Sequence, residues 1–542
     1  MQMFKEDTRR EEGKSVPIKC IEAAQELTNI IRTNLGPNGL SKLVENHLGK
    51  VIVTRRTETV LFNIVTDHPI AKLIVLAAQH QAQEIGDGTT QVVAFIGEVL
   101  LKLKPLVSML LPVKDIQEGL DLALAKTLEL LPSFACDVLK SYTDAKEVAR
   151  CLKPVVQAKM MGQEDFIASL IANACVDICP TDPSKFNVDN VRFTKIMGGS
   201  LTDSVMINGF CLQRPVEGTI KHIKNAKIAV FGCAINKDEG ETAGTIVLKT
   251  ASELESYTAS EEQRMKALCE QICSTGAKVV VSGANISEIA LHYLEQLEVM
   301  VIRIGSKFDL QRLCLATHST ALVRLGAPLP EELGFCASVD ETEVSGNQVV
   351  IFSQQADLEK SESLVESRIA TVVLRSSTQA QLDDVERVCI DAVNTFKVLT
   401  RDNRLVAGGG AFEAELSKKL GDFGKTNVGL QQYAIGAFAD ALLFVPRIIG
   451  ETSGMDSNQV TSAIVAAHAK EGGEHMGVNV ETLEISDMKK AGVVDTLLLK
   501  EWVIRFGIET VKTIMSVDEI IMAKPAGIKP PPSKTIGAAD ND

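Results

Sequence analysis

Aromatic residues are scarce: one Trp, four Tyr and 18 Phe make up 4% of the 542 residues. With Ala, Val, Ile and Leu supplying most of the apolar content, that shortage argues against a β-sandwich and for helix-rich or α/β packing. Twelve cysteines are present but no CxxC pair, and the pairs Cys175/Cys179 and Cys269/Cys273 sit at helical spacing without a nearby histidine. Zinc and dithiol redox chemistry lack their ligand pattern, so buried reduced thiols in a cytosolic protein are expected. Neither GxxxxGK[ST] nor HExxH occurs and the eight histidines are scattered, leaving a P-loop NTPase, a zinc hydrolase and a hydrolytic triad without support. The opening MQMFKEDTRREEGKSV is charged and has no apolar signal core, and no later window holds eighteen uncharged apolar residues. A cytoplasmic location without a membrane is the expectation.

Basic residues are outnumbered, 56 Lys and Arg against 70 Asp and Glu, for a net charge of −14. Duplex nucleic acid and anionic membranes are therefore poor candidates as partners. The length predicts two to four domains, and 45% apolar content allows each a substantial core. Helical periodicity fills the first 150 residues, with only KVIVT (50–54) reading as a strand. From about residue 190, short β-branched runs such as VRFTKI, KIAVFG, KVVVSG and VMVIRIG alternate with helical stretches. Helical texture then returns, with further helices expected at about 427–446, 456–471 and 500–515. Such an order suggests one domain built from both termini and an α/β insert between, followed by a tail rich in Pro and Gly that is expected to be disordered.

EIGDGTTQVV (84–93) isolates Asp87 between two glycines ahead of two threonines and an apolar run. One reading is a tight turn with Thr89 as N-cap; the other is a phosphate loop, with bare backbone for close approach, free helix N–H groups for an anion and a hard carboxylate for Mg²⁺. NLGPNGLSK (34–42) and GGGAFE (408–413) likewise suit either a plain turn or backbone contact with a nucleotide. Asp391 falls in an apolar helical stretch, where an acid is more often solvated or capped than catalytic. The stretch 240–272 fits a soluble helical protrusion. KFDLQRLCLATHS (307–319) offers a mixed face in which Leu310, Leu313 and Leu315 are better read as packing residues.

The order GPNG, strand, GDGTT, α/β insert, acid in a helix, GGGA, VVDTL resembles the group II chaperonins. FNVDNVR (186–192), FKVLTRDNRLV (396–406), QQYAIGAFADAL (431–442) and IIMAKPAG (520–527) look like the eukaryotic cytosolic branch of that family. The resemblance covers nearly the whole chain. It implies a multidomain α/β and α fold: an equatorial domain (1–145 and 401–527) with ATP and ring contacts, a hinge-like intermediate domain (146–212 and 366–400), an apical domain (213–365) with a helical protrusion for substrate and lid, and a tail (528–542). It also implies a place beside seven paralogous subunits in a double ring that folds clients such as actin and tubulin, with ATP, ADP and Mg²⁺ as cofactors. Under that resemblance Asp87 is the Mg²⁺ ligand. Gly88, Thr89, Thr90 and Gln91 form the phosphate loop, and Leu35, Gly36 and Pro37 the first nucleotide turn. Gly409 and Asp495 flank the ribose, Lys159 senses the nucleotide, and Asp391 is the catalytic acid that positions water.

One stretch departs from the family pattern. Where VTNDGAT or VTNDAAT is usual, this chain reads VTRRTET (53–59), so Arg56 stands in place of an acid, with Arg55 before it and Glu58 two residues on. An arginine cannot take a proton from water, yet it can pair with phosphate or with Asp87. Slow hydrolysis is the expectation; a catalytically inactive structural or adaptor subunit is the alternative.

Overall fold

The computed structural model describes residues 9–11, 16–46, 49–64, 66, 68–236, 251–344, 346–354 and 369–522. Within these the fold mixes helix and sheet, and the apolar residues gather in separate cores.

The largest core joins the two ends of the chain. Helices Val16–Ile31, Pro69–Glu84, Thr89–Ser108 and Val113–Leu130 pack with Ala411–Thr426, Gln431–Ala441, Phe444–Thr452, Ser457–His468 and Leu497–Met515. Thr89–Ser108 is the hub: every residue from Val92 to Leu100 is buried, as expected of a helix apolar on all sides. Strand Arg9–Glu11 pairs antiparallel with Ile520–Met522, tying the same two ends together.

A second core lies where helices Ala145–Gln157, Glu164–Ile178 and Gln379–Arg401 meet strands Val191–Met197 and Ala370–Ser376. Those strands open a nine-stranded mixed sheet that continues through Val205–Leu212, Asn347–Ser353, Gly334–Val344, His222–Phe231, Ala277–Ser282 and Met300–Arg303, with Ala321–Leu322 beside His222–Phe231. The pairings among His222–Phe231, Ala277–Ser282 and Met300–Arg303 are parallel. Their Val- and Ile-rich cores are covered by helices on both faces, as parallel strands require.

Several local expectations are corrected. KVIVT is not the only early strand: Lys42–Glu45 pairs with Val51–Thr54 as a hairpin, and Asp137–Val138 joins a three-stranded sheet. The helix expected at 427–446 is two helices, Gln431–Ala441 and Phe444–Thr452, and this apolar stretch is mostly core. Leu310 and Leu313 are buried as read, whereas Leu315 is exposed. None of the twelve cysteines is in a disulfide. Helix Ala251–Ser274 falls in the stretch read as a protrusion, but residues 237–250, like the tail 528–542, lie outside the described residues.

Candidate functional site

The loop around Asp87 is a helix start held by two left-handed glycines. Gly86 has φ +85° and Gly88 φ +80°, a region closed to most side chains, and Gly88 rather than Thr89 is the N-cap of Thr89–Ser108. A Cβ on Gly86 would stand 2.3 Å from the Asn394 side chain, so this loop touches helix Gln379–Arg401 closely. From behind, the Gln81 amide donates to the Asp87 carbonyl at 3.0 Å. Thr90 is held by a 2.8 Å hydroxyl contact with the buried Thr57.

The Asp87 carboxylate meets charge brought from distant segments. Lys159 Nζ lies 2.7 Å from Asp87 Oδ1 and 2.7 Å from Asp391 Oδ2, bridging both acids. Arg56 reaches Asp391 Oδ1 at 3.1 Å and Glu58 at 2.8 Å. The order along the site is thus Asp87, Lys159, Asp391, Arg56, Glu58, with signs alternating. Asp391 is 1% exposed, which overturns the solvated reading. Its Oδ1 has Arg56 beside it but accepts no aligned hydrogen bond. Arg56 therefore pairs with Asp391 and Glu58, not with Asp87. Arg55 turns the other way and donates to the carbonyls of Pro37 at 3.0 Å and Lys159 at 3.1 Å, pinning the first turn to the turn that carries the lysine.

The charges set the protonation preferences. Burial alone would raise Asp87, but the Lys159 charge and hydrogen bond, the Gly88 N–H and Arg56 outweigh it and hold the carboxylate below its usual range. At Asp391 burial wins: despite Lys159 and Arg56, and with Asp87 pushing the same way as burial, its pKa is raised. Lys159 is raised too, because Asp391 and Asp87 outweigh the burial that would strip its proton.

A neighbouring cavity of ≈ 280 Å³ continues from the shared walls Leu35, Gly36, Gln91 and Asp495 toward Pro37, Gly409 and Val478–Glu481. The space around the bridged acids is tighter, ≈ 100 Å³, because the ion pairs fill it. At the junction Lys500, 3% exposed, holds Asp495 and Glu413 at 2.8 Å each and reaches Gln91 at 3.3 Å. A Cβ on Gly409 would come within 2.7 Å of Met488 Sδ and 3.0 Å of the Val478 carbonyl oxygen, so only glycine lets the hairpin Met476–Asp487 and the Met488 that follows it close on this wall.

All twelve residues singled out in the sequence, Leu35, Gly36, Pro37, Asp87, Gly88, Thr89, Thr90, Gln91, Lys159, Asp391, Gly409 and Asp495, line these two connected cavities. Sequence reading missed Lys500, although a lone lysine in the apolar run LLLKEWVIRFGI was a visible signal. It also missed Gln81, Thr57 and Asn394, which no pattern marks. Among the described residues no cluster of three or more His, Cys, Asp or Glu could hold a metal unaided. Mg²⁺ asks for less, one or two carboxylates completed by phosphate oxygens and water, and Asp87 beside bare glycine backbone fits that donor set.

The comparisons agree along the whole chain. Residues 27–525 match the TCP-1/cpn60 chaperonin family. The chain is 42% identical over 535 residues to T-complex protein 1 subunit theta of Homo sapiens, covering 98% of this chain and 96% of that protein. It is 42% identical over 541 residues to the Dictyostelium discoideum protein of the same name, covering 100% and 99%. Against the probable theta subunit of Schizosaccharomyces pombe it is 40% identical over 534 residues, covering 98% and 96%. This chain belongs to the TCP-1/cpn60 chaperonin family.

Proposed function

We propose that the chain is a theta-type subunit of a hetero-oligomeric cytosolic chaperonin, working beside seven paralogues in a double ring on clients such as actin and tubulin. In this reading 1–145 with 401–527 is the equatorial domain, 146–212 with 366–400 the intermediate domain and 213–365 the apical domain. The two cavities hold ATP or ADP. The ribose and base lie between Gly409, Asp495 and the 478–481 wall, and the phosphates lie over Gly88–Gln91. Asp87 holds Mg²⁺, which when bound spreads the phosphate charge. The observation that carries the reading is the double bridge of Lys159 to Asp87 and Asp391. The Lys159 ammonium and the adjacent helix N-terminus suit phosphoryl oxygens, and the carboxylate of Asp87 suits the divalent cation that accompanies them.

Hydrolysis is slow in this reading because Arg56 occupies the acid that would orient water. Asp391 must present a carboxylate oxygen to the attacking water, and Arg56 stands 3.1 Å from the oxygen that Lys159 leaves over. The same ion pair supports the second reading, a subunit that keeps the pocket for structure and leaves turnover to its neighbours. To test the assignment, the tagged chain would be isolated at native mass from its own host, with its co-purifying chains and retained nucleotide identified. Recovery with seven related subunits and bound nucleotide supports the proposal; recovery alone, without nucleotide, refutes it.

A further inference from the structure

Helix Leu497–Met515 buries Leu497, Val503, Ile504, Gly507 and Ile508, a stripe at three- and four-residue steps, and Lys500 falls on that stripe. Helix geometry therefore carries its ammonium into the core, where three hydrogens need three acceptors. Three are there: Glu413 Oε1 at 2.8 Å, Asp495 Oδ2 at 2.8 Å and Gln91 Oε1 at 3.3 Å. Burial would strip the proton, but the charges of Asp495 and Glu413 and their hydrogen bonds outweigh it, and the pKa is raised.

The acceptors come from three parts of the cavity frame. Glu413 stands in the first turn of helix Ala411–Thr426, which follows the glycine triplet. It lines neither cavity and serves as the anchor. Asp495 lies on strand Val494–Thr496 between two buried neighbours, and strand alternation turns its side chain to the other face. Gln91 is the third residue of helix Thr89–Ser108. Asp495 and Gln91 each line both cavities.

The shared ammonium fixes what each of them shows to the cavity. Lysine only donates, so the Gln91 amide turns its oxygen to Lys500 and its NH₂ end is left over. Asp495 gives Oδ2 to the ammonium and keeps Oδ1. One wall thus carries a donor and a charged acceptor that hang from the same atom. A phosphoryl oxygen suits only the donor and is repelled by the carboxylate. An alcohol both donates and accepts, and so suits the pair. We infer that Lys500 is a positioning residue that aims the Gln91 amide and the Asp495 carboxylate at a sugar hydroxyl, so that the pocket selects nucleotides with an intact ribose diol. The inference rests on the nucleotide reading above and deepens it: the Gln91 backbone stays under the phosphates while its side chain serves the sugar. A lysine of purely structural importance would cost every nucleotide alike; a positioning lysine costs the diol-bearing one more.

The test is competition in the assembled particle. This chain is photolabelled with azido-ADP and resolved from its neighbours, and the label is displaced by ADP or by 2′,3′-dideoxy-ADP. Wild type favours ADP by at least about tenfold, the scale of one hydrogen bond to a charged group. Lys500→Met loses most of that preference, whatever happens to its overall affinity. Equal displacement in wild type, or the full preference in Lys500→Met, overturns the inference; no label on wild type with saturating probe overturns the nucleotide reading itself. Should Lys500→Met fail to enter particles or to take label, Gln91→Met decides. It leaves both carboxylates on the ammonium and removes only the amide, so the preference for ADP falls, and an unchanged preference overturns the inference.

Discussion

Arg56 and Asp391 meet at 3.1 Å across the candidate site, the arginine largely buried and the acid almost completely so. The sequence carries an arginine where chaperonins of this resemblance carry an acid, and in the proposed reading its guanidinium covers the carboxylate oxygen that the attacking water would need. Arg56→Asp should release Asp391 and restore a second acid. Single-turnover hydrolysis by particles carrying the variant should rise roughly tenfold to a hundredfold at this site, the scale of a modest general-base contribution. An unchanged single-turnover rate would sink the idea that Arg56 limits hydrolysis.

Lys159→Met removes the cation between the buried Asp391 and the partly buried Asp87. Asp391 keeps Arg56, but Asp87 loses its main partner, and the cost to stability should be about 3 kcal/mol, the lower end for breaking a buried pair. Nucleotide retention should fall in the same variant. A melting temperature equal to wild type would show that the bridge does not hold these segments together.

Gly86→Ala is expected to destabilise by about 1–3 kcal/mol, from left-handed backbone and a collision with Asn394. Adding Asn394→Ala should rescue little, since the Asn394 Cβ itself lies 2.4 Å from the added methyl. Full rescue in the double variant, read by thermal unfolding, would place the strain in the amide group alone.

Lys159 and Lys500 both have pKa values raised by the acids they pair with, against the burial that opposes their charge. A raised lysine contributes stability in full below its unfolded value, near 10.4. That contribution is lost as pH climbs through the higher folded value. Alkaline unfolding should therefore shift to lower pH in Lys500→Met, which also leaves Glu413 buried without its cation. Denaturant melts at neutral and alkaline pH measure this, and an unchanged alkaline midpoint would count against it.

Legibility in the sequence followed locality. Helical periodicity marked Thr89–Ser108 and Leu497–Met515 because each buries a face, or all faces, of one continuous segment. The hairpin Lys42–Glu45 with Val51–Thr54 was half visible: VIVT is β-branched, whereas KLVE reads as well in a helix until its partner is known. Thr89 lost the N-cap to Gly88 because the turn demands a left-handed residue there. Glycine motifs and the lone Asp87 located the cleft, since special backbone needs special residues. The Lys159 bridge to Asp391 spans 232 residues, and Lys500 meets Glu413 across 87 and Gln91 across 409. Such charges are chosen by tertiary proximity, which no local spacing records.

The largest core, made from residues 16–134 and 398–520, also sets a timetable for biosynthesis. A ribosome delivers its first half early, with Ile21, Ile74 and Phe95 awaiting partners such as Phe438 and Phe444 on helices not yet made. The intervening sheet can collapse meanwhile, and its formation brings the two halves within reach, lowering the entropy of closing so long a loop. Until Leu497–Met515 emerges, the hub helix keeps an apolar flank bare to water. The core thus closes only when its last helix docks.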